Sequence, residues 1–206
     1  MNKKGIVIVG YSGHGLVVAD AALAMGLDLK YYCEKNERTI NPFDLKYAGF
    51  EGDEAYNWSA EYDYILGIGD NRIRRKTGEL ITANNRNCLN VIHPSSTVSR
   101  LSRMGIGNFI SSGVHLNALA TIGNYCIMNT GAVVEHECRL GDAVHIAPGA
   151  VLAGNVSIGS GSFVGANSVI KEGVTIGDNV IIGAGTVVLK NIENNNKIVG
   201  NPGRVI

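Results

Sequence analysis

The chain has 206 residues with 18 basic and 18 acidic side chains, a formal net charge of zero. A balanced surface of this kind excludes the basic face that nucleic acid or an anionic membrane surface would select. Only 6% of residues are aromatic and 17% charged, while 27 are glycine and 4 proline, a composition of many tight turns and not of collagen or a disordered linker.

Lys3 and Lys4 precede only a strand-length apolar run, and no segment approaches the roughly 18 apolar residues of a membrane helix. No secretory or membrane segment is therefore expected. Residues 4–9 read as a strand, followed by Gly10-Tyr11-Ser12-Gly13-His14-Gly15 and a helix from Leu16 to about Met25, which Gly26 stops. Leu29–Cys33 and Tyr64–Ile68 read as further strands, the latter ending in Gly69-Asp70-Asn71. Arg72–Ala83 is amphipathic enough for a helix. This order is a Rossmann-like start. The glycines run G-x-x-G-x-G instead of G-x-G-x-x-G, which argues against NAD. A glycine-rich turn opening a helix still points backbone N–H groups at an anion such as a diphosphate; the same glycines also serve simply to tighten the turn.

Cys88–Val98 carries the chain between two expected domains, 1–92 and 93–206. From Ile110 every sixth residue is aliphatic: Leu116, Ile122, Met128, Val134, Leu140, Ile146, Leu152, Ile158, Val164, Ile170, Ile176, Ile182 and Val188. Two residues earlier runs a column of small or β-branched residues, from Val114 and Ala120 through Cys126 and Cys138 to Thr186. A six-residue period is neither helical nor strand alternation; it fits short strands separated by corners, stacked as coils about 4.8 Å apart. Glycines following the aliphatic residue, such as Gly123 and Gly165, would then mark positive-φ corners or close backbone approaches. The inward column makes Cys126 and Cys138 small core residues, and the four cysteines together read as reduced thiols of a cytoplasmic protein.

These residues carry a resemblance. The repeat region is similar to the hexapeptide-repeat acyltransferases. The whole chain resembles the sugar O- and N-acyltransferases related to sialic acid O-acetyltransferase and to bacterial nucleotide-aminosugar N-acetyltransferases. The marks are G-x-x-G-H-G, I-G-D-N-R-x-x-R, I-H-P, N-T-G-A-V-V-E-H-E-C, H-I-A-P-G-A and the closing G-N-P-G-R. The resemblance implies an α/β Rossmann-like N-terminal domain followed by a left-handed parallel β-helix. It also implies a homotrimer with active sites between subunits, and acetyl-CoA as co-substrate without a metal.

His136, flanked by Glu135 and Glu137, is the expected general base, because acyl transfer from a thioester needs a base that titrates near neutrality. By resemblance Glu137 supports it. On spacing alone, a solvated histidine among surface acids is the favoured reading, and the resemblance reverses that order. His145 is expected beside the acetyl group as a hydrogen-bond donor, with a plain surface histidine as the other reading. Gly154, Ala166 and Ala184 would line the pantetheine and phosphates, and Arg204 would pair with a CoA phosphate. Asn129 would touch the acceptor. Gly10, Ser12, Gly13 and His14 would meet the sugar nucleotide, with Glu34 and Lys35 at its ribose or base and Asn71 and Arg72 at its diphosphate.

The expected reaction is direct transfer of acetyl to the 4-amino group of a nucleotide-linked 4-amino-4,6-dideoxy sugar in surface glycan synthesis. O-acetylation of a sialic-acid type sugar, and a solenoid that binds a nucleotide sugar without reacting it, remain open at this point. A zinc lyase on a similar helix needs three histidine ligands, and His115, His136 and His145 lack the H-x4-H spacing.

Overall fold

The computed structural model describes residues 5–206; Lys3 and the expected strand start at Lys4 lie outside the described residues. Four parallel strands come first: β1 (Gly5–Val9), β2 (Leu29–Cys33), β3 (Lys46–Tyr47) and β4 (Tyr62–Leu66), in the order β3-β2-β1-β4. Helices α1 (Gly13–Ala24) and α2 (Asn71–Ala83) make the crossovers. Helix α1 starts three residues earlier than the apolar pattern indicated, because Ser12 already has extended N-cap backbone. Strand β3 has no alternation to betray it.

The chain then passes from one core to the other without a flexible joint. Leu89 N–H bonds the Tyr64 carbonyl at 2.8 Å, extending the α/β sheet beside β4, and Val91–Ile92 already pairs with Phe109–Ile110 in the next domain.

From there the chain forms a β-helix in which each strand pairs in parallel with the one 18 residues on, as Thr121 with Arg139 and Ile127 with His145. Three sides result. The first, here the docking side, contains Val91–Ile92, Phe109–Ile110, Ile127–Met128, His145–Ile146, Phe163–Val164 and Ile181–Ile182. The second contains His115–Leu116, Val133–Val134 and Val151–Leu152, and the third Thr121–Ile122, Arg139–Leu140 and Ser157–Ile158. Both sequence columns are buried: the aliphatic residues from Ile110 to Val188 and the small ones from Val114 to Thr186. The small column also closes hydrogen bonds between coils. Ser162 and Ser168 donate to the carbonyls of Gly177 and Gly183 at 2.8 Å, and Cys126 and Cys138 to those of Gly141 and Ala153. These thiols are free, buried and inward.

Positive φ falls on a column the sequence reading did not single out, three residues after the aliphatic one. It runs through Gly107, Gly113, Leu119, Tyr125, Gly131, Glu137, Ala143, Gly149, Asn155 and on to Gly185. The glycines directly after the aliphatic residues serve close approach instead. At Gly165 a Cβ would lie 2.6 Å from the backbone of the next coil, at Gly183 and Ala184, whereas at Gly185 it would meet nothing within 4 Å. Gly165→Ala should therefore destabilise the fold by about 3 kcal/mol or more, since backbone cannot yield as a side chain does. Gly185→Asn should cost under about 1 kcal/mol, because Asn tolerates the left-handed region. Urea unfolding midpoints of the two variants check this; equal losses would contradict it.

Candidate active site

His136 stands at the corner between the second and third sides of the β-helix. Its Nδ1 lies 3.1 Å from Glu137 Oε2, and both side chains are about half exposed. Glu137 has φ 61°, an unusual conformation for a residue that is neither Gly nor Asn. The hexapeptide corner imposes that backbone, and it turns the carboxylate back onto the imidazole. Gly154, one coil further, supplies the seat: a Cβ there would come within 2.5 Å of His136 Cε1. Gly154 is thus brought together with the expected base, against the ring itself.

A second pair of histidines forms where the α/β domain covers the docking side. His145 is buried, packs edge-on against Phe163 at 5.0 Å between centroids, and faces His14 at 6.2 Å. Asn129 Nδ2 approaches His145 Nε2 at 3.4 Å. Burial is the main cause that lowers both histidines, His14 to about 4 and His145 to about 3, with the Arg74 cation adding to it. Both rings are neutral at pH 7. His14 Nε2 is buried without a hydrogen-bond partner, and His145 has only a weak backbone one at Gly69, so this pocket holds a polar atom still to be met.

Beside the apolar seam in which Phe109, Ile127 and Tyr125 pack on the α/β domain, Arg74, a residue absent from the expected site, ties the two domains by hydrogen bonds. It is 1% exposed. Its guanidinium donates to the Ile68 and Gly69 carbonyls of its own domain at 3.2 and 2.9 Å, and to the Asn71 side-chain oxygen at 2.9 Å. It also donates to the Tyr125 and Ala143 carbonyls of the β-helix at 2.7 and 3.2 Å. Tyr125 and Ala143 are two of the left-handed corner residues. Asn71 completes the seam by donating to the Gly161 and Ser162 carbonyls at 3.0 and 3.1 Å. Asn71, expected at a diphosphate, thus spends its amide on the seam. The only sequence signal for Arg74 is its place at the fourth position of helix α2, four residues after the Asp70 cap.

The remaining expected residues sort along the carboxyl ends of the parallel strands, where ligands of open α/β sheets bind. Gly10 and Gly15 are packing residues: a Cβ on Gly15 would lie 2.1 Å from the Gly10 carbonyl oxygen. Gly13 faces open space, and with Ser12 lines a cleft of about 350 Å³ that also includes Arg38. Glu34 accepts the Tyr11 N–H at 2.9 Å, so its carboxylate braces the glycine loop. Lys35 and Arg72 line a separate cleft beside α2. Ala166 and Ala184 sit at the corner after the docking side, with Ala184 exposed, and Arg204 is exposed in the closing strand. Among the described residues no group of three or more His, Cys, Asp or Glu is placed to hold a metal ion, and no helix is long and apolar enough to cross a membrane.

The neutral histidines carry a pH consequence. The unfolded chain protonates them near pH 6.5 while the folded one resists, so their contribution is complete above about pH 6.5 and is lost as pH falls toward 4 and then 3. Each should cost about 2 kcal/mol at pH 5. Denaturant midpoints between pH 7.5 and 5 should drop accordingly, and a His14→Gln, His145→Gln chain should flatten the slope; an unchanged slope would contradict the assignment.

Residues 5–80 match the PglD N-terminal domain, and residues 137–172 and 155–190 match the bacterial transferase hexapeptide (six repeats). The acetyltransferase domain of PglB from Neisseria gonorrhoeae FA1090, solved with acetyl coenzyme A, is 29% identical over 100% of both chains, with a TM-score of 0.93. A histidine-to-asparagine variant of perosamine N-acetyltransferase from Caulobacter crescentus, solved with CoA and GDP-perosamine, is 34% identical. It covers 98% of this chain and 96% of that one, with a TM-score of 0.89. GDP-perosamine N-acetyltransferase of Escherichia coli O157:H7 is 34% identical over 84 residues, a stretch spanning only 38% of that relative. With the two domains in the same order and the fold shared end to end, the chain belongs to the family of hexapeptide-repeat sugar N-acetyltransferases that includes the perosamine enzyme.

Proposed function

We propose that the chain transfers the acetyl group of acetyl-CoA to the 4-amino group of a nucleotide-linked 4-amino-4,6-dideoxy sugar, in the cytoplasm, for glycan synthesis. The observation that carries the chemistry is His136 bonded through Nδ1 to Glu137 and seated on Gly154. With Nδ1–H held by the carboxylate, Nε2 is the free acceptor. It takes a proton from the acceptor amine as the nitrogen attacks the thioester carbon. The tetrahedral oxyanion is met by backbone N–H groups. Collapse expels CoA, whose thiolate recovers a proton from the imidazolium. No acyl-enzyme is involved, because Cys126 and Cys138 face the core.

His145 fits the role of donor to the acetyl carbonyl, since a neutral imidazole donates a hydrogen bond without releasing its proton. Acetyl-CoA would then run along the corner bearing Ala166 and Ala184. His136 belongs to a different corner of the same prism, the one opposite the docking side. A site that uses His136 with His145 and His14 therefore needs a neighbouring copy, and a cyclic homotrimer supplies one at each of three equivalent clefts. The acetyl-CoA and the CoA with GDP-perosamine held by the two solved relatives support this reading.

Release of CoA thiol with acetyl-CoA and a panel of nucleotide amino sugars tests it. His136→Ala should lower turnover by about 10² or more. Gly154→Ala, which displaces only the ring's seat, should lower kcat about tenfold with the melting temperature within a few degrees of the parent. His136→Ala retaining more than about a tenth of parental turnover would end the assignment of the base.

A further inference from the structure

Docking alone does not explain why a guanidinium is buried between the two domains. Arg74 is almost fully buried and, among the described residues, forms no ion pair, which is a costly state for a charge. Phe109, Ile127 and Tyr125 already pack the β-helix on the α/β domain through apolar contact. The fork is nevertheless used in full. Nε donates to the Tyr125 carbonyl, Nη1 to those of Ile68 and Gly69, and Nη2 to the Asn71 side-chain oxygen and the Ala143 carbonyl. Every N–H that arginine possesses is thereby placed.

Three of those acceptors lie one step from His145. Ala143, bonded at 3.2 Å, is the left-handed corner residue that turns the chain into the strand His145–Ile146. The Gly69 carbonyl, bonded at 2.9 Å, also faces the His145 ring. Asn71, whose oxygen Arg74 holds at 2.9 Å, donates to the Ser162 carbonyl at 3.1 Å, and that same carbonyl accepts the His145 backbone N–H at 3.0 Å. The residue after Ser162 is Phe163, whose ring packs edge-on against His145. The imidazole itself has little to hold it beyond Asn129 at 3.4 Å and the weak contact at Gly69. Its place is set by the backbone around it, and one guanidinium gathers that backbone.

We propose that Arg74 is a positioning residue for the transfer reaction, fixing the His145 ring where it meets the acyl carbonyl. The proposal rests on the transfer reading above for what His145 does. Lysine has three donors and no planar fork, so Arg74→Lys keeps the charge and loses the geometry. A donor displaced by a fraction of its bond length forfeits contact with the developing oxyanion more than with the bound thioester. The effect therefore falls on kcat and largely spares KM.

The test is a double-mutant cycle on the full chain, read as release of CoA thiol. His145→Gln should lower kcat by about 10². Arg74→Lys should lower it about tenfold, with KM for acetyl-CoA within about twofold of the parent. Made in the His145→Gln background, Arg74→Lys should cost no more than about a further twofold, because the ring it positions is gone. Losses that multiply, or Arg74→Lys at parental turnover, would overturn the proposal. Asn71→Ala leaves four of the five Arg74 bonds and should lower kcat about threefold, again without further effect beside His145→Gln. If Arg74→Lys does not fold, that arm decides alone, and a multiplied loss there overturns the proposal equally. A second readout needs no turnover. With carbon-13 at histidine Cε1, the His145 line, assigned by its loss in His145→Gln, should be single in the parent and broadened or doubled in Arg74→Lys, with the His136 line unmoved. An unchanged His145 line would overturn the proposal. The two readings fail separately: a parent that releases CoA with no amino sugar sinks the transfer reading, while the line still decides whether Arg74 holds the ring.

Discussion

The uninterrupted six-residue period is the constraint on which everything else rests. Because strands pair at intervals of 18 residues without a skipped position from Phe109 to Ile182, a residue's number alone fixes its side of the prism. That arithmetic puts Ile110 and its successors in the core and the cysteines of the small column beside them. It also separates His136 from His145: nine residues are one and a half sides, so the two rings cannot converge within one chain. The same period dictates a left-handed residue at every corner. Glycine and asparagine occupy most corners, yet Glu137 occupies one, and its carboxylate is aimed at His136 as a result. The proposed His136–Glu137 dyad is in this sense a by-product of the corner geometry, held at a conformational cost of order 1 kcal/mol that the stacked coils over-determine.

The second constraint is the buried guanidinium of Arg74. Its five hydrogen bonds go to four backbone carbonyls and one side-chain amide oxygen, with no carboxylate among them. The charge consequently has no ion-pair partner in contact, is offset only through space by groups such as Asp70, and itself acts at a distance. Burial lowers Arg74 itself to about 10, and its field adds to the desolvation of His14 and His145. One residue thereby ties the α/β domain to the β-helix beside their shared apolar seam and reinforces the neutrality that burial imposes on the facing imidazoles. Since a buried charge without a partner is a costly way to join two domains, a packed apolar contact would serve docking alone at least as well.

Much of this was legible before any coordinates. The hexapeptide columns gave the core directly, because burial in a solenoid depends only on sequence spacing. Motif and resemblance single out His136, Glu137 and Gly154, and the His136 ring meets both Glu137 and the Gly154 backbone, although Gly154 is expected along a pantetheine arm. What stayed hidden has a common cause: it depends on contacts between segments far apart in sequence. Arg74 sits among Arg72, Arg75 and Lys76 and looks like one more solvated cation. Asn71 looks free until its carbonyl partners at Gly161 and Ser162 appear 90 residues away. Glu34 reads as a ribose ligand, but the glycine loop folds over to use it.

The separation of the histidines around the prism makes the shared cleft the claim most open to attack. Two inactive chains, one carrying His136→Ala and the other lacking both His14 and His145, can be co-expressed with different tags and purified through both. If each site draws His136 from one copy and the facing histidines from the next, mixed trimers regain one intact cleft in three, about a third of the parental turnover in the doubly purified material. Co-assembled chains that remain as inactive as either parent would contradict the account, because the reacting groups would then have to come from a single chain.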